Sequence, residues 1–254
     1  MWDGNALKWD MSYLEYIPDH VLKAHVEHVI HIALEAQQKA SDEFHKNVID
    51  PFSAMFEMGG FKRKAKAWRK SELDRKAQKT VQNHVGEFHQ KILGAVEGWQ
   101  DLGLGGNVDL INKERRIIAE VKNKYNTVSG GKLNGVYDDL ASLIMPKASM
   151  YHGFTAYFVN IIPKKNNIGS DLPFTPSDRA AGQRREKNDK IRIIDGRAFY
   201  ALVTGRPDAL EELYHALPSV VESILANKAE KFQYSKSDIA HLNDYYAKAF
   251  VNKC

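Results

Sequence analysis

An aspartate, a glutamate and a lysine lie in the stretch 107–122, Asn-Val-Asp-Leu-Ile-Asn-Lys-Glu-Arg-Arg-Ile-Ile-Ala-Glu-Val-Lys. The short apolar runs 108–111 and 116–121 read as two strands. Side chains alternate along a strand, so Ile118, Glu120 and Lys122 share one face while Ile117, Ala119 and Val121 share the other. A four-residue hairpin loop at 112–115 sets Asp109 opposite Ile118 and diagonal to Glu120 on that shared face, and any even-length connection preserves it. Two carboxylates held together on a half-buried sheet repel unless a cation sits between them, and hard oxygen donors with open water positions suit Mg²⁺. A metal held this way polarises a phosphoryl oxygen and lowers the pKa of a bound water, while the Lys122 ammonium positions the nucleophile or offsets developing negative charge. That is the chemistry of phosphodiester hydrolysis. An acid-x-Lys triplet alone is not specific: Asp74-Arg75-Lys76 is a second one, in a helical basic stretch, and reads as surface charge. The alternative for Asp109, Glu120 and Lys122 is a solvated hairpin face with a cross-strand ion pair.

Periodicity gives the elements that must hold these residues. Leu22, Val26, Val29, Ile30 and Ala33 recur at helical spacing between residue 18 and about 47, with Pro51 just beyond the end. A second helical stretch spans about 61–96, and Val81, Val85, Phe88 and Ile92 form its apolar stripe. Past the glycine-rich turn 103–106, further strands are expected at 154–162 and 191–194. Helices are expected at 138–144, 199–204, 207–226 and 237–251, with Gly205 as the break after the second. This order of helices, strands and helices indicates an α/β or α+β sheet flanked by helices, and the fold expected is α/β with a mixed central sheet. One domain is expected over 1–254, with a helical part to about 98 and a sheet-containing core from about 99. The connection 163–190 is long, rich in Pro, Gly and Asn, and basic. Such a segment is either functional or disordered.

The 254 residues carry 36 Lys and Arg against 32 Asp and Glu, a net +4, with 43% hydrophobic residues and one cysteine. Disorder, a disulfide scaffold and a collagen-like repeat are excluded on these figures, and a reducing intracellular, cytoplasmic setting is expected. The amino-terminal residues lack the charged-then-apolar order of a signal peptide, and no apolar run is long enough for a membrane span. Nine basic residues against two acidic ones give residues 62–79 a local +7, so the rest of the chain sums to −3. That segment either contacts phosphates or forms a solvated helix face, and Trp68 within it suits the core or DNA equally.

Lys124, Asn126, Thr127, Ser129 and Lys132 follow the acid-bearing strand and are types that meet phosphates or base edges, or else form an ordinary polar turn around Gly130-Gly131. In the long connection Arg179, Gln183, Arg184, Arg185 and Lys187 are candidates for the major groove. His25, His28 and His31 stand three apart, which carries the third off the shared face; with His20, His84 and His89 they read as polar helix surface instead of a zinc site. The turn 103–106 has no following Lys-Ser/Thr and is no nucleotide loop. Cys254 has no Cys/His/Asn arrangement around it, and no serine-nucleophile motif occurs.

An Asp, about ten residues, then Glu-x-Lys on the next strand resembles the PD-(D/E)XK nuclease superfamily, with Val108 where its motif has proline. More specifically, Glu87-Phe-His-Gln-Lys-Ile-Leu, Asp109, Val121-Lys-Asn-Lys-Tyr-Asn-Thr127 and Phe199-Tyr-Ala-Leu-Val-Thr-Gly205 together resemble type II restriction endonucleases that cut GGNCC sequences. The resemblance spans about 85–216. It implies a restriction-endonuclease-like fold, Asp109 and Glu120 as ligands of Mg²⁺, Lys122 as the catalytic lysine, double-stranded DNA as substrate and a homodimer. A DNA methyltransferase is expected beside it in the same system, though not as a stable complex. Glu87 offers one more acid from the preceding helix, against the alternative of a helix-surface carboxylate. The competing functions are a structure-specific repair or recombination nuclease and a non-catalytic DNA-binding module.

Overall fold

The computed structural model describes residues 12–46, 48–103, 108–178, 182–228 and 232–251. Expectations placed on Asn47, Leu104, Gly105, Gly106, Arg179 and Cys254 fall outside the described residues. Seven helices among the described residues flank a six-stranded sheet. Helix α1 (Asp19–Asp42) follows Pro18 and ends sooner than its periodicity suggests, in a 3-10 turn at Phe44–Lys46. Pro51 does not merely terminate that helix. It opens a short helix, α2 (Pro51–Gly60), whose Asp50 cap accepts from the amides of Phe52 at 2.9 Å and Ser53 at 3.3 Å.

Helix α3 (Ala65–Gly94) packs closely on α1. Its carboxyl end must come very near β1 (Gln100–Asp101): a Cβ at Gly94 would stand 2.6 Å from the Cβ of Asp101. Helix α4 (Leu133–Ile144) begins five residues before the expected 138. The remaining helices are α5 (Gly196–Thr204), α6 (Ala209–Asn227) and α7 (Lys236–Phe250). Gly205 closes α5 at φ 73°, and a capping box between Ser235 and Asp238 starts α7.

The strands β2 (Leu110–Asn112), β3 (Ile117–Lys124), β4 (Thr155–Ile162), β5 (Asp171–Pro173) and β8 (Ile191–Asp195) complete the sheet in the order β1-β2-β3-β4-β8-β5. The pairs β3/β4 and β4/β8 are parallel; β1/β2, β2/β3 and β8/β5 are antiparallel. The sheet is therefore mixed, as an α/β fold with antiparallel edges. The long connection 163–190 contributes edge strand β5 and a separate hairpin of β6 (Ser177–Asp178) with β7 (Gln183–Arg184).

Alternation along β3 and β4 divides the interior in two. Ile117, Ala119, Val121, Tyr157, Val159 and Ile161 meet α1, α3, α5, α6 and α7, while Ile118, Ala156 and Phe158 meet α4. Leu22 and Val26 of α1 thus share one core with the sheet and the carboxyl-side helices. No helix among the described residues is long and apolar enough to cross a membrane.

Candidate active site

The β2–β3 hairpin differs by one residue from its expected form. Asn112 pairs with Ile117, so the loop is 113–116; Asn112 is buried, and its Oδ1 accepts from the Arg115 amide at 2.8 Å. Arg116, at φ 55°, takes up the left-handed turn. An asparagine that caps its own turn from inside the ladder shifts the register: Leu110 pairs with Ala119, where the expected loop sets it opposite Ile117, and the ladder ends there, before Asp109. The loop length stays even, so Ile111 and Ile118 pair and pack on the same face.

Asp109 sits in a bend where the chain leaves the ladder. Its amide donates to the Ala119 carbonyl at 3.0 Å, and its Oδ2 accepts from the Val121 amide at 2.7 Å. Glu120 and Lys122 follow on β3. Lys122 Nζ stands 2.5 Å from Glu120 Oε1 and 4.0 Å from Asp109 Oδ2, so one ammonium reaches both carboxylates. All three side chains keep 20–26% of their surface exposed. Burial, and next the negative charge of Glu120, push the Asp109 carboxyl up to about 6; the Val121 N–H and Lys122 only partly offset this. Two acids so placed leave a site short of positive charge, and its oxygen donors fit a hard divalent cation.

Asp109 and Lys122 open onto a cleft of about 580 Å³ walled by α3, through Gln82, Asn83 and Glu87, and by Asn123, Lys124 and Thr127 of β3 and its following turn. Glu120 lines a separate groove under α4, beside Val136 and Asp139. A more apolar cavity of about 480 Å³ between α1, α3, α6 and α7 contains neither Asp109 nor Glu120.

Among the expected DNA contacts, Lys124 and Thr127 reach the cleft, and Thr127 Oγ1 accepts from the Lys124 amide at 3.3 Å. Asn126 lies in the same exposed turn, and Ser129 and Lys132 lead into α4. Gln183 and Arg184 are exposed on β7. Arg185 is committed within the chain, 2.5 Å from Asp138 and 3.0 Å from Asp178, and so braces the hairpin against α4. Glu87 lines the cleft, yet its Oε2 is 3.1 Å from His84 Nδ1.

In the basic segment, Trp68 neither enters the core nor stands free: its indole N–H donates to Glu57 at 2.9 Å and ties α3 to α2. Arg69 stacks over Phe44 and Arg75 pairs with Glu72, whereas Lys64, Lys66 and Lys70 are exposed with no ion pair among the described residues.

The histidines depart from a uniform polar surface. His89 points inward, its Nδ1 2.8 Å from the Tyr200 hydroxyl, and burial pushes it down to about 4. His28 of α1 meets His84 of α3 edge to face, with ring centroids 6.1 Å apart. Sequence reasoning also passed over Asn160, which is buried on β4, pairs across from Lys122 and has no partner for its Oδ1. A lone polar residue in the run Thr-Ala-Tyr-Phe-Val-Asn-Ile-Ile was the available signal.

A mixed α/β sheet with an acid pair at an open cleft is one setting for nuclease chemistry, and comparison with known proteins gives the class: this is a type II restriction endonuclease, an enzyme of double-stranded DNA. The chain belongs to the Eco47II restriction endonuclease family, whose family model matches residues 14–226. It is 52% identical over 240 residues to the type II restriction enzyme Eco47II of Escherichia coli, covering 94% of this chain and 100% of that one. It is 30% identical over 223 residues to the type II restriction enzyme Sau96I of Staphylococcus aureus, covering 87% of this chain and 84% of the relative. No solved structure matches the chain.

Proposed function

We propose that this endonuclease uses Mg²⁺ held by Asp109 and Glu120, with Lys122 as its catalytic lysine, to hydrolyse one phosphodiester in each strand of a GGNCC-type site. The observation that carries this reading is one ammonium within 4.0 Å of two carboxylates, one on β3 and one in the bend before β2, beside a cleft open to substrate. When bound, the cation supplies Lewis acidity at a phosphoryl oxygen and at the attacking water.

The chain's own groups do the rest. The Val121 N–H fixes Asp109 Oδ2, which orients the carboxylate and leaves Oδ1 for a ligand. Glu120 anchors the Lys122 ammonium, which lines the cleft beside Asp109. There Lys122 orients the water for in-line attack and offsets the charge that grows on the phosphoryl oxygens as the opposite P–O bond breaks.

Lys124, Asn126, Thr127, Ser129 and Lys132 flank the cleft or the start of α4 and serve the scissile strand. Gln183 and Arg184 extend from the β6–β7 hairpin toward bases, with Arg179 assigned to the same hairpin connection on sequence alone. The chain works as one domain in a homodimer, because a twofold-related site needs two active sites. A methyltransferase that protects host DNA accompanies it, and the enzyme acts in the cytoplasm.

The test is to incubate the purified protein with plasmid and Mg²⁺, then sequence the fragment ends. Discrete fragments whose ends map to GGNCC sites in the plasmid support the reading; degradation from ends, or cutting confined to junctions, points to a repair nuclease. Asp109→Ala and Lys122→Ala are expected to bind DNA without cutting it. Undiminished cutting by both removes the assignment of the site.

A further inference from the structure

We propose that His28, His84 and Glu87 form a second metal site, which takes a zinc-class transition-metal dication and ties α1 to α3. His84 and Glu87 are three residues apart on α3 and therefore lie on one face of it. Their donor atoms, Nδ1 and Oε2, are 3.1 Å apart. His28 comes from α1, the helix packed along α3, and its ring stands perpendicular to that of His84 at 86°. One donor atom from each of the three residues lies within 4.8 Å of the other two.

A tetrahedral ion with ligand bonds of about 2.0–2.1 Å holds its donors about 3.3 Å apart. The His84–Glu87 pair already has that spacing, and His28 is exposed, so its side chain is free to swing in and close the set. The side chains of His84 and Glu87 are 32% and 38% exposed, which leaves solvent access for the ion and for a water as fourth ligand. Lys91, the cation on the next turn of α3, is 2.6 Å from Asp101 and leaves Glu87 to the histidines.

Ligand type separates this site from the one on the sheet. Two imidazoles and one carboxylate suit Zn²⁺, Co²⁺ or Ni²⁺, whereas the all-oxygen pair Asp109 and Glu120 suits Mg²⁺. Glu87 lines the same cleft as Asp109 and Lys122, so an ion here fixes one wall of that cleft and the helix whose amino-terminal half carries the basic segment. The inference stands on the two helices alone, independently of the assignment on β2 and β3.

Untagged, EDTA-stripped full-length protein is titrated with Co²⁺, read by its visible absorption, and with Zn²⁺, read by calorimetry and by melting temperature. One equivalent of tightly held ion, tetrahedral Co²⁺ bands and a raised melting temperature are expected. His28→Ala and His84→Ala are expected to weaken binding at least tenfold while melting like the parent in EDTA, and Asp109→Asn is expected to bind Co²⁺ like the parent. No uptake overturns the proposal. So does uptake that survives both histidine substitutions, or uptake lost in Asp109→Asn.

Discussion

Replacing Asp109 with Asn should make the protein more stable at the same time as it stops cleavage. Above pH 6 the native Asp109 carboxylate is charged in a site that raises it from 3.8 to about 6, which corresponds to about 3 kcal/mol of stability forgone. Asparagine has the same shape and can still accept from the Val121 amide, at 2.7 Å in the parent, so the repulsion is removed while the hydrogen bond remains. The side chain is 20% exposed and loses a distant attraction to Lys122 at 4.0 Å, which trims the gain to about 1–3 kcal/mol, on the order of 5 °C in melting temperature for a chain this long.

The sign follows from the raised acid. Its native form binds the proton more tightly than the unfolded form, so the Asp109 contribution to parental stability falls as pH rises from about 4 through 6, and the advantage of Asn grows over that window. The gain at pH 8 should shrink to about half by pH 5. Calorimetry of both proteins in EDTA at pH 8 and pH 5 gives the difference directly. Taking the difference matters, because His89 titrates in an overlapping window with the opposite sign. Added Mg²⁺ should then stabilise the parent and leave Asp109→Asn unmoved. A variant no more stable than the parent at pH 8, or one with equal gains at both pH values, would refute the account of a charge-starved acid pair.

Three other outcomes are expected. Tyr200→Phe removes the hydroxyl 2.8 Å from His89 Nδ1 and should cost about 1–3 kcal/mol in urea unfolding; because burial holds His89 down near 4, the stability contributed by neutral His89 should decline as pH falls from 6.5 toward 4, opposite in sign to the Asp109 contribution. Gly196→Ala would set a Cβ 2.4 Å from the Ile161 carbonyl oxygen, a backbone atom that cannot swing aside, and should lower the melting temperature through a loss of about 1–3 kcal/mol or more. Changing Lys64, Lys66 and Lys70 together to Gln should flatten the plot of log affinity for duplex DNA against log salt by up to about 3, if each meets a phosphate, while cutting of bound DNA continues; an unchanged slope would assign these residues to solvent.

The sequence by itself determined the central strands and the face of β3 on which Glu120 and Lys122 lie. Alternation with period two is a local property, so these two were bound to share a face with Ile118 wherever β3 settled. Helix ends marked by Gly205 were legible for the same local reason, since a left-handed residue belongs to glycine in any context.

Tertiary structure decided what depends on partners distant in the chain. The register that pairs Leu110 with Ala119 follows from Asn112 capping its own turn within the ladder, and the bend that turns Asp109 toward the Val121 amide lies just outside it. Edge strands β1 and β5, two and three residues long, carry no readable period and exist because β2 and β8 offer them hydrogen bonds. Helix α2 escaped notice because Phe52, Met55 and Phe56 are apolar residues left on the surface, which defeats any reading of a buried stripe. Arg185 looked available for bases until Asp138 and Asp178 closed on it. His28 and His84 are far apart in sequence, and only the docking of α1 along α3 brings their rings together.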